Sequence, residues 1–172
     1  RSAYGEGFSA GLNPAQWAAL RYFNIANRFS RTVSAFAGYH GTTLGTASQT
    51  VKSMVDKGLL RRQPDPADRR RQQISLSRAG ADLLARDPLA VLADAAAALP
   101  AARREAMAEA MRAMLGNIAE RRGAPCFGVC ANCCYLDARD GDAGRRCCKL
   151  VDETLQPEEI DQICINFQPA VR

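Results

Sequence analysis

Seven cysteines stand in the last third of the chain, in the order Cys126-x3-Cys130-x2-Cys133-Cys134-x12-Cys147-Cys148-x15-Cys164. Thiolates at such spacing can pair as disulfides, hold zinc, or hold an iron–sulfur cluster. Disulfides fit least well. Seven is an odd number, and with no visible secretion signal the expected compartment is the reducing cytoplasm. Cys130 and Cys133 form the one CxxC, whereas a zinc ribbon usually supplies two such knuckles. The tight, regular spacings of the common iron–sulfur motifs are also unmatched. The chain has a single histidine, His40, which offers the thiols no obvious imidazole partner and is read as structural or solvated. No Ser/His/Asp arrangement and no Gly-rich phosphate loop is present, so an enzyme is not expected.

The elements that must position these thiols begin far upstream. The chain has 172 residues, 47% hydrophobic and 24% charged, within the ordinary range of globular proteins. No apolar run is long enough to span a membrane. Net charge is +5, unevenly spread. Residues 1–60 carry six basic and two acidic side chains, residues 61–123 twelve and eight, and residues 124–172 five and eight. The first two segments favour a polyanion, and the acidic tail does not.

At "LNPAQWAAL" the signals of a helix start agree: Asn13 caps, Pro14 suits the first helical position, Gln16 completes a capping box, and Leu12 faces Trp17 as a hydrophobic staple. This helix is expected to reach about Ala26. A second is expected over Arg31 to Tyr39 and a third over Leu44 to Lys57, closed by Gly58. The third places Leu44, Ala47, Val51, Met54 and Val55 on one face. Thr46, Gln49, Thr50 and Ser53 stand opposite, with Lys52 on the flank. Short uncharged hydrogen-bonding side chains suit a helix lying against base edges in a major groove. "LLRRQ" and "RQQISLS" then read as two strands joined by "PDPADRR", a hairpin with Arg69, Arg70 and Arg71 at its tip. Helix, turn, helix and a basic hairpin is the order of a winged helix-turn-helix. Ser77 caps a following helical stretch, residues 78–122, broken near Pro88 and Pro100. Its second part carries Met107, Met111, Met114, Leu115 and Ile118 at helical spacing, read as packing rather than as ligands.

Residues 12–122 resemble the MarR family of bacterial transcription regulators. The resemblance rests on "GTASQTVKSMVDKGLLRR" and on the wing "DPADRRRQQISLSRAG", where Asp68, Arg69 and Arg70 precede Leu76, Ser77 and Gly80 at the family's spacing. It implies a homodimer with two winged-helix lobes on a pseudo-palindromic double-stranded DNA operator. It also implies DNA contacts from Thr46, Ser48, Gln49, Thr50 and Lys52, and from Arg69 and Arg70 in a minor groove. Asp68 is expected to pair with a wing arginine.

The tail is similar to a cysteine-rich extension of some MarR-type regulators, in which CxxC and an aromatic lead to Cys-x-Leu, an acidic-Leu stretch and a last cysteine. Here these are Cys130, Cys133 and Tyr135, then "CKLVDETL" and "QIC". The CxxxCxxCC box also resembles that of a zinc- or iron-chelating family. Both resemblances imply four ligands, Cys130, Cys133, Cys148 and Cys164, with Cys126 as substitute. Cys134 and Cys147 are then spare. A structural zinc has little use for three further thiols, which are oxidation liabilities, so the cofactor expected is an iron–sulfur cluster, [4Fe-4S] or [2Fe-2S], with zinc the alternative.

The fold expected is mainly α with a small β-hairpin wing: a winged helix-turn-helix over 12–77, a helical dimerisation region over 78–123 and a small cysteine-rich metal-binding module over 124–172. The function expected is a homodimeric DNA-binding transcriptional regulator whose cluster senses redox, oxygen or iron status. Two other readings stand beside it. One is the same regulator with structural zinc and a small-molecule effector, and the other a redox or electron-transfer protein.

Overall fold

In a computed structural model, residues 11–65, 71–138 and 146–170 are described. Among the described residues, six helices carry the chain through its first two thirds: α1 (Pro14–Ile25), α2 (Val33–His40), α3 (Leu44–Asp56), α4 (Arg78–Leu84), α5 (Ala90–Ala97) and α6 (Ala101–Arg122). Between α3 and α4 run β1 (Leu60–Pro64) and β2 (Gln72–Leu76), antiparallel, with Leu60 opposite Leu76 and Arg62 opposite Ile74. This is a winged helix-turn-helix, mainly helical with a small β-hairpin.

The helix starts follow from side-chain chemistry. The Asn13 carboxamide accepts from the Gln16 amide while the Gln16 side chain accepts from the Asn13 amide, so two orphan donors of α1 are satisfied. Thr43 caps α3 and Ser77 caps α4. The second helix begins at Val33, two residues later than its sequence suggests, because Thr32 is its cap. Arg31 instead gives its carbonyl to the Ile74 amide of β2 at 2.7 Å.

One core fills the space between α1, α2, α3 and the hairpin. Trp17, Leu20, Tyr22, Phe23, Phe36, Val51, Met54, Leu60 and Ile74 are all buried in it. Gly80 lets α4 press against this core: a Cβ there would run into the Leu59 carbonyl oxygen. By contrast, α6 buries none of its 22 residues. Leu44, placed by its spacing on the inner face of α3, is exposed. It occupies the first turn of the helix.

The tail is built of short strands: β3 (Gly128–Val129), β4 (Leu136–Ala138), β5 (Arg146–Cys148), β6 (Glu153–Leu155) and β7 (Ile163–Cys164). β3 pairs with β7, and β4, β5 and β6 form a second antiparallel sheet. Its buried core consists of Cys130, Leu155, Ile160 and Cys164, with Phe29, Leu136, Cys148 and Phe167 packed around it. No described helix is long and apolar enough to cross a membrane.

Candidate metal centre and DNA-reading face

The reading face of α3 is narrower than a helical projection suggests. Ala47, Val51 and Met54 are buried against α1 and α2. Thr46, Gln49 and Lys52 are exposed, and Ser48 and Thr50 half-buried. Two hydroxyls on this face already have local partners: Thr50 donates to the Thr46 carbonyl at 3.1 Å, and the Thr46 hydroxyl lies 2.9 Å from that of Thr43. Ser53 does not belong to the face. Its hydroxyl accepts from the Gln16 side chain at 3.0 Å, because the C-terminal half of α3 lies against the start of α1. Gln49 and Lys52 remain as long, exposed polar side chains on the helix. On the wing, Arg61 and Arg62 of β1 are exposed. The hairpin is tied by Asp65, whose amide donates to the Arg71 carbonyl and whose carboxylate accepts from Gln73. Asp68, Arg69 and Arg70 lie outside the described residues. His40 ends α2 with its ring edge-on to Phe36, the centroids 4.8 Å apart.

The tail brings four cysteines to one place. Cys130, Cys133, Cys148 and Cys164 line a single small cavity together with Tyr135, Leu136, Leu150, Val151 and Leu155. Three pieces of backbone supply them. Cys130 opens a 3-10 turn (Cys130–Asn132), Cys133 follows it, Cys148 ends β5, and Cys164 ends β7. Strand alternation explains which of the paired cysteines enters. Cys147 and Cys148 are neighbours on β5, so their side chains take opposite faces. Cys148 lines the cavity, while Cys147 meets the Thr154 hydroxyl at 3.9 Å. Cys134 is exposed beside Gln168. Cys126, half-buried in the segment leading to β3, is not among the lining residues.

The inner wall of the cavity belongs to the winged helix. Asn27 and Phe29, from the corner between α1 and α2, line it. Asn27 is fully buried, and its side-chain amide donates to the Cys130 sulfur at 3.7 Å. Cys164 is held as the more acidic thiol, pulled down to about 6, chiefly by a hydrogen bond from Cys130, helped by Asn27, the Asn166 amide and the Ser30 hydroxyl. Cys130 is pushed up by the same hydrogen bond and by burial.

The donor set fits a metal group. Four thiols converge, apolar side chains surround them, and amide and hydroxyl donors face the sulfurs. Among the described residues, no three Cys, His, Asp or Glu side chains stand close enough to grip one common ion.

Sequence reasoning missed Asn27, Ser30 and Arg28. Arg28 reaches across to the tail. It donates to Glu159 and Glu153, both at 3.0 Å, and to the Thr154 carbonyl at 2.8 Å, with its guanidinium 4.7 Å from the Phe29 ring centre. No local pattern marks these residues, because each acts on a partner more than a hundred positions away.

Comparison with known proteins agrees with this geometry. Residues 10–71 match the model of the MarR family, a span that covers α1 to the start of the wing and ends before the cysteine-rich tail. Among solved structures, the chain resembles a MepR–DNA complex from S. aureus with a TM-score of 0.54 at 20% identity, over 67% of this chain and 85% of that one. It also resembles CouR from Rhodococcus jostii RHA1 bound to p-coumaroyl-CoA, with a TM-score of 0.54 at 19% identity, over 66% and 80%. S. aureus MepR bound to ethidium bromide gives 0.50 at 21% identity, over 68% and 86%. No curated protein sequence matches the chain significantly. At such identities the likeness concerns the fold, a winged helix-turn-helix.

Proposed function

We propose that the chain is a DNA-binding transcriptional regulator of MarR type that works as a homodimer, and that its tail holds an iron–sulfur cluster sensing redox, oxygen or iron status. The observation that carries the sensing part is the convergence of Cys130, Cys133, Cys148 and Cys164 on one cavity whose inner wall is the winged helix. The DNA-binding part is supported by the MarR family match and by the exposed Gln49 and Lys52 of α3 beside the exposed arginines of β1. The fold is shared with MepR, which has been solved on DNA. Arg69 and Arg70 are proposed to extend this face into a minor groove. The dimer is supported by α5 and α6, where Val91, Leu92, Met111, Met114 and Leu115 are all more than half exposed. A contiguous apolar face of this kind marks a protein–protein contact.

Cys130, Cys133, Cys148 and Cys164 would hold the cluster. When bound, such a group supplies one-electron redox chemistry at a potential set by burial and by hydrogen bonds to its sulfurs. The protein's part would be to gather the four thiols among apolar side chains such as Leu136 and Leu155, and to hold the tail on the winged helix through Arg28. Emptying the cavity would change how the tail packs and shift the population of lobe spacings that fits two half-sites.

The test is an anaerobic visible spectrum with metal analysis, followed by DNA binding with the site loaded and stripped. A brown protein with iron and sulfide, whose affinity for a duplex selected from random sequence changes on stripping, agrees with the proposal. A colourless protein with one tightly held zinc and unchanged affinity would leave a structural metal in its place.

A further inference from the structure

The corner between α1 and α2, residues 26–32, belongs to two structures at once. On one side it is part of the thiol cavity and its sheet. The Asn27 amide donates to the Ile163 carbonyl of β7 at 2.9 Å, Ala26 bridges to Ile163, and the Ile165 amide donates to the Ser30 hydroxyl at 2.8 Å. On the other side it is part of the DNA-reading half. The Ile74 amide of the wing strand donates to the Arg31 carbonyl, and Thr32 caps α2, which packs on α3. Two residues at the middle of this corner, Asn27 and Ser30, are fully buried and polar. Buried polar groups are retained where their partners are in place, and they tolerate little change in those partners.

The Asn27 side chain has one fixed orientation. Its oxygen accepts from the Ser30 amide at 3.1 Å, so its nitrogen points at the Cys130 sulfur. The Ser30 carbonyl in turn accepts from the Tyr22 hydroxyl at 2.7 Å. The carboxamide therefore stands between the Cys130 sulfur and the backbone of Ser30 and Arg31.

We infer that this corner is the element through which the thiol cavity acts on DNA binding, with Asn27 the positioning residue that ties the Cys130 sulfur to it. The inference rests on the sensing function proposed above. Coupling runs along a short path of hydrogen bonds and one stretch of backbone: Cys130 sulfur, Asn27 side chain, Ser30 amide, Arg31 carbonyl, Ile74 amide, wing. It is reciprocal by linkage, so bound DNA shifts the metal group's potential in the sense that matches the change in affinity.

The test uses the full chain reconstituted anaerobically with ferrous iron and sulfide, the same chain stripped by chelator, and a duplex selected from random DNA by either form. Asn27→Asp keeps the oxygen that accepts from Ser30 and loses the N–H that faces Cys130, and Asn27→Leu loses both. The expected result is that both variants reduce the ratio of loaded to stripped affinity at least about fivefold, the lower end of ordinary coupling. Asn27→Asp should also lower the reduction potential. A wild-type ratio well away from one that survives unchanged in both folded variants overturns the role of the corner and leaves sensing intact. A wild-type ratio of one overturns sensing and the corner together. If neither variant folds, amide hydrogen exchange on the wild type decides. Stripping should accelerate exchange at Ser30, Ile74 and Ile165, and equal protection in both forms overturns the inference.

Discussion

Replacing Arg28 by alanine should loosen the tail from the winged helix without unfolding the helices. The Arg28 guanidinium is about a quarter exposed, the Glu159 carboxylate 8% and the Glu153 carboxylate 48%. The bond to the buried Glu159 is charge-assisted in a place where water competes poorly, and is worth about 1.5–3 kcal/mol. The Glu153 pair is half in water and contributes at most about 1 kcal/mol. The bond to the Thr154 carbonyl and the stacking on Phe29 add about 1 kcal/mol together. Truncation also leaves Glu159 buried, with the Gln156 amide at 2.9 Å as its neutral partner. A cost of about 3–4 kcal/mol on docking follows, with the exposed pair discounted. Hydrogen exchange reads this selectively: the amides of Cys133, Cys134 and Ile165 should exchange over a hundredfold faster, while those inside α1 and α3 stay protected. Glu159→Gln should reproduce most of the effect and Glu153→Gln little of it. Equal small effects from all three, below about 0.5 kcal/mol, would refute the reasoning, because the clamp would then be a surface ion pair of the ordinary kind.

Gly80→Ala should cost about 2–3 kcal/mol, the range of overpacking in a fixed core, since the new methyl meets the Leu59 carbonyl; a thermal melt at fixed pH reads the loss. The Arg21–Asp87 pair, with both bonds at 2.6 Å, should make stability pH-dependent on the acid side. Hydrogen bonds from Arg21 hold the Asp87 carboxyl below its usual value. That stabilisation is therefore complete above the unfolded value near pH 4 and lost as pH falls through the lower folded value. Urea titrations from pH 6 to pH 2 should show this slope diminished in Asp87→Asn. On α3, Gln49→Ala should relax base preference at one operator position by about 1–3 kcal/mol with an unchanged melting temperature. Ser53→Ala should do the reverse, costing about 1 kcal/mol of stability with base preference intact, and competition against singly substituted duplexes separates the two. Leu115→Glu on α6 should dissociate the dimer at micromolar concentration in sedimentation, since each protomer would otherwise bury a leucine worth about 1.5–3 kcal/mol.

The winged helix was legible because independent local signals agreed. At α1 the cap, the proline, the capping box and the apolar spacing all point to one start, and α3 repeats the agreement with the Ala47–Val51–Met54 stripe and the closing Gly58. Where only periodicity spoke, the reading slipped. Arg31 looked helical, yet its carbonyl is taken by a wing strand 43 residues on. Ser53 looked like part of the polar face, because a helical projection does not know where α1 crosses. The tail strands were illegible for a different reason. Strands of two or three residues offer no alternation to detect, and their order is set by contacts with the corner and by the packing of cysteines. The cysteine spacing was legible as a likeness, and the cavity shows that Cys147 and Cys148 part company at a strand face. Nothing in "NIANRFSRT" announces that Asn27 and Ser30 will be buried against sulfur.

On the function proposed above, stability and signal share one interface. The tail buries four residues in its own core, and two of them are cysteines. A core that small supplies little folding energy, so order in the tail must come from docking on the corner and from whatever the thiols bind. A ligand that binds only the docked tail stabilises it by RT ln(1 + [L]/Kd), and the docked tail in turn holds Asn27, Ser30 and Arg31 in place. Weakening the clamp at Arg28 should therefore do more than expose the tail. It should raise the concentration of iron and sulfide needed to load the site, and it should reduce the difference in DNA affinity between loaded and stripped protein in step with the loss of docking. An Arg28→Ala protein that loads normally and discriminates normally, while its tail amides exchange freely, would mean that the tail signals without docking. The corner would then be only a hinge.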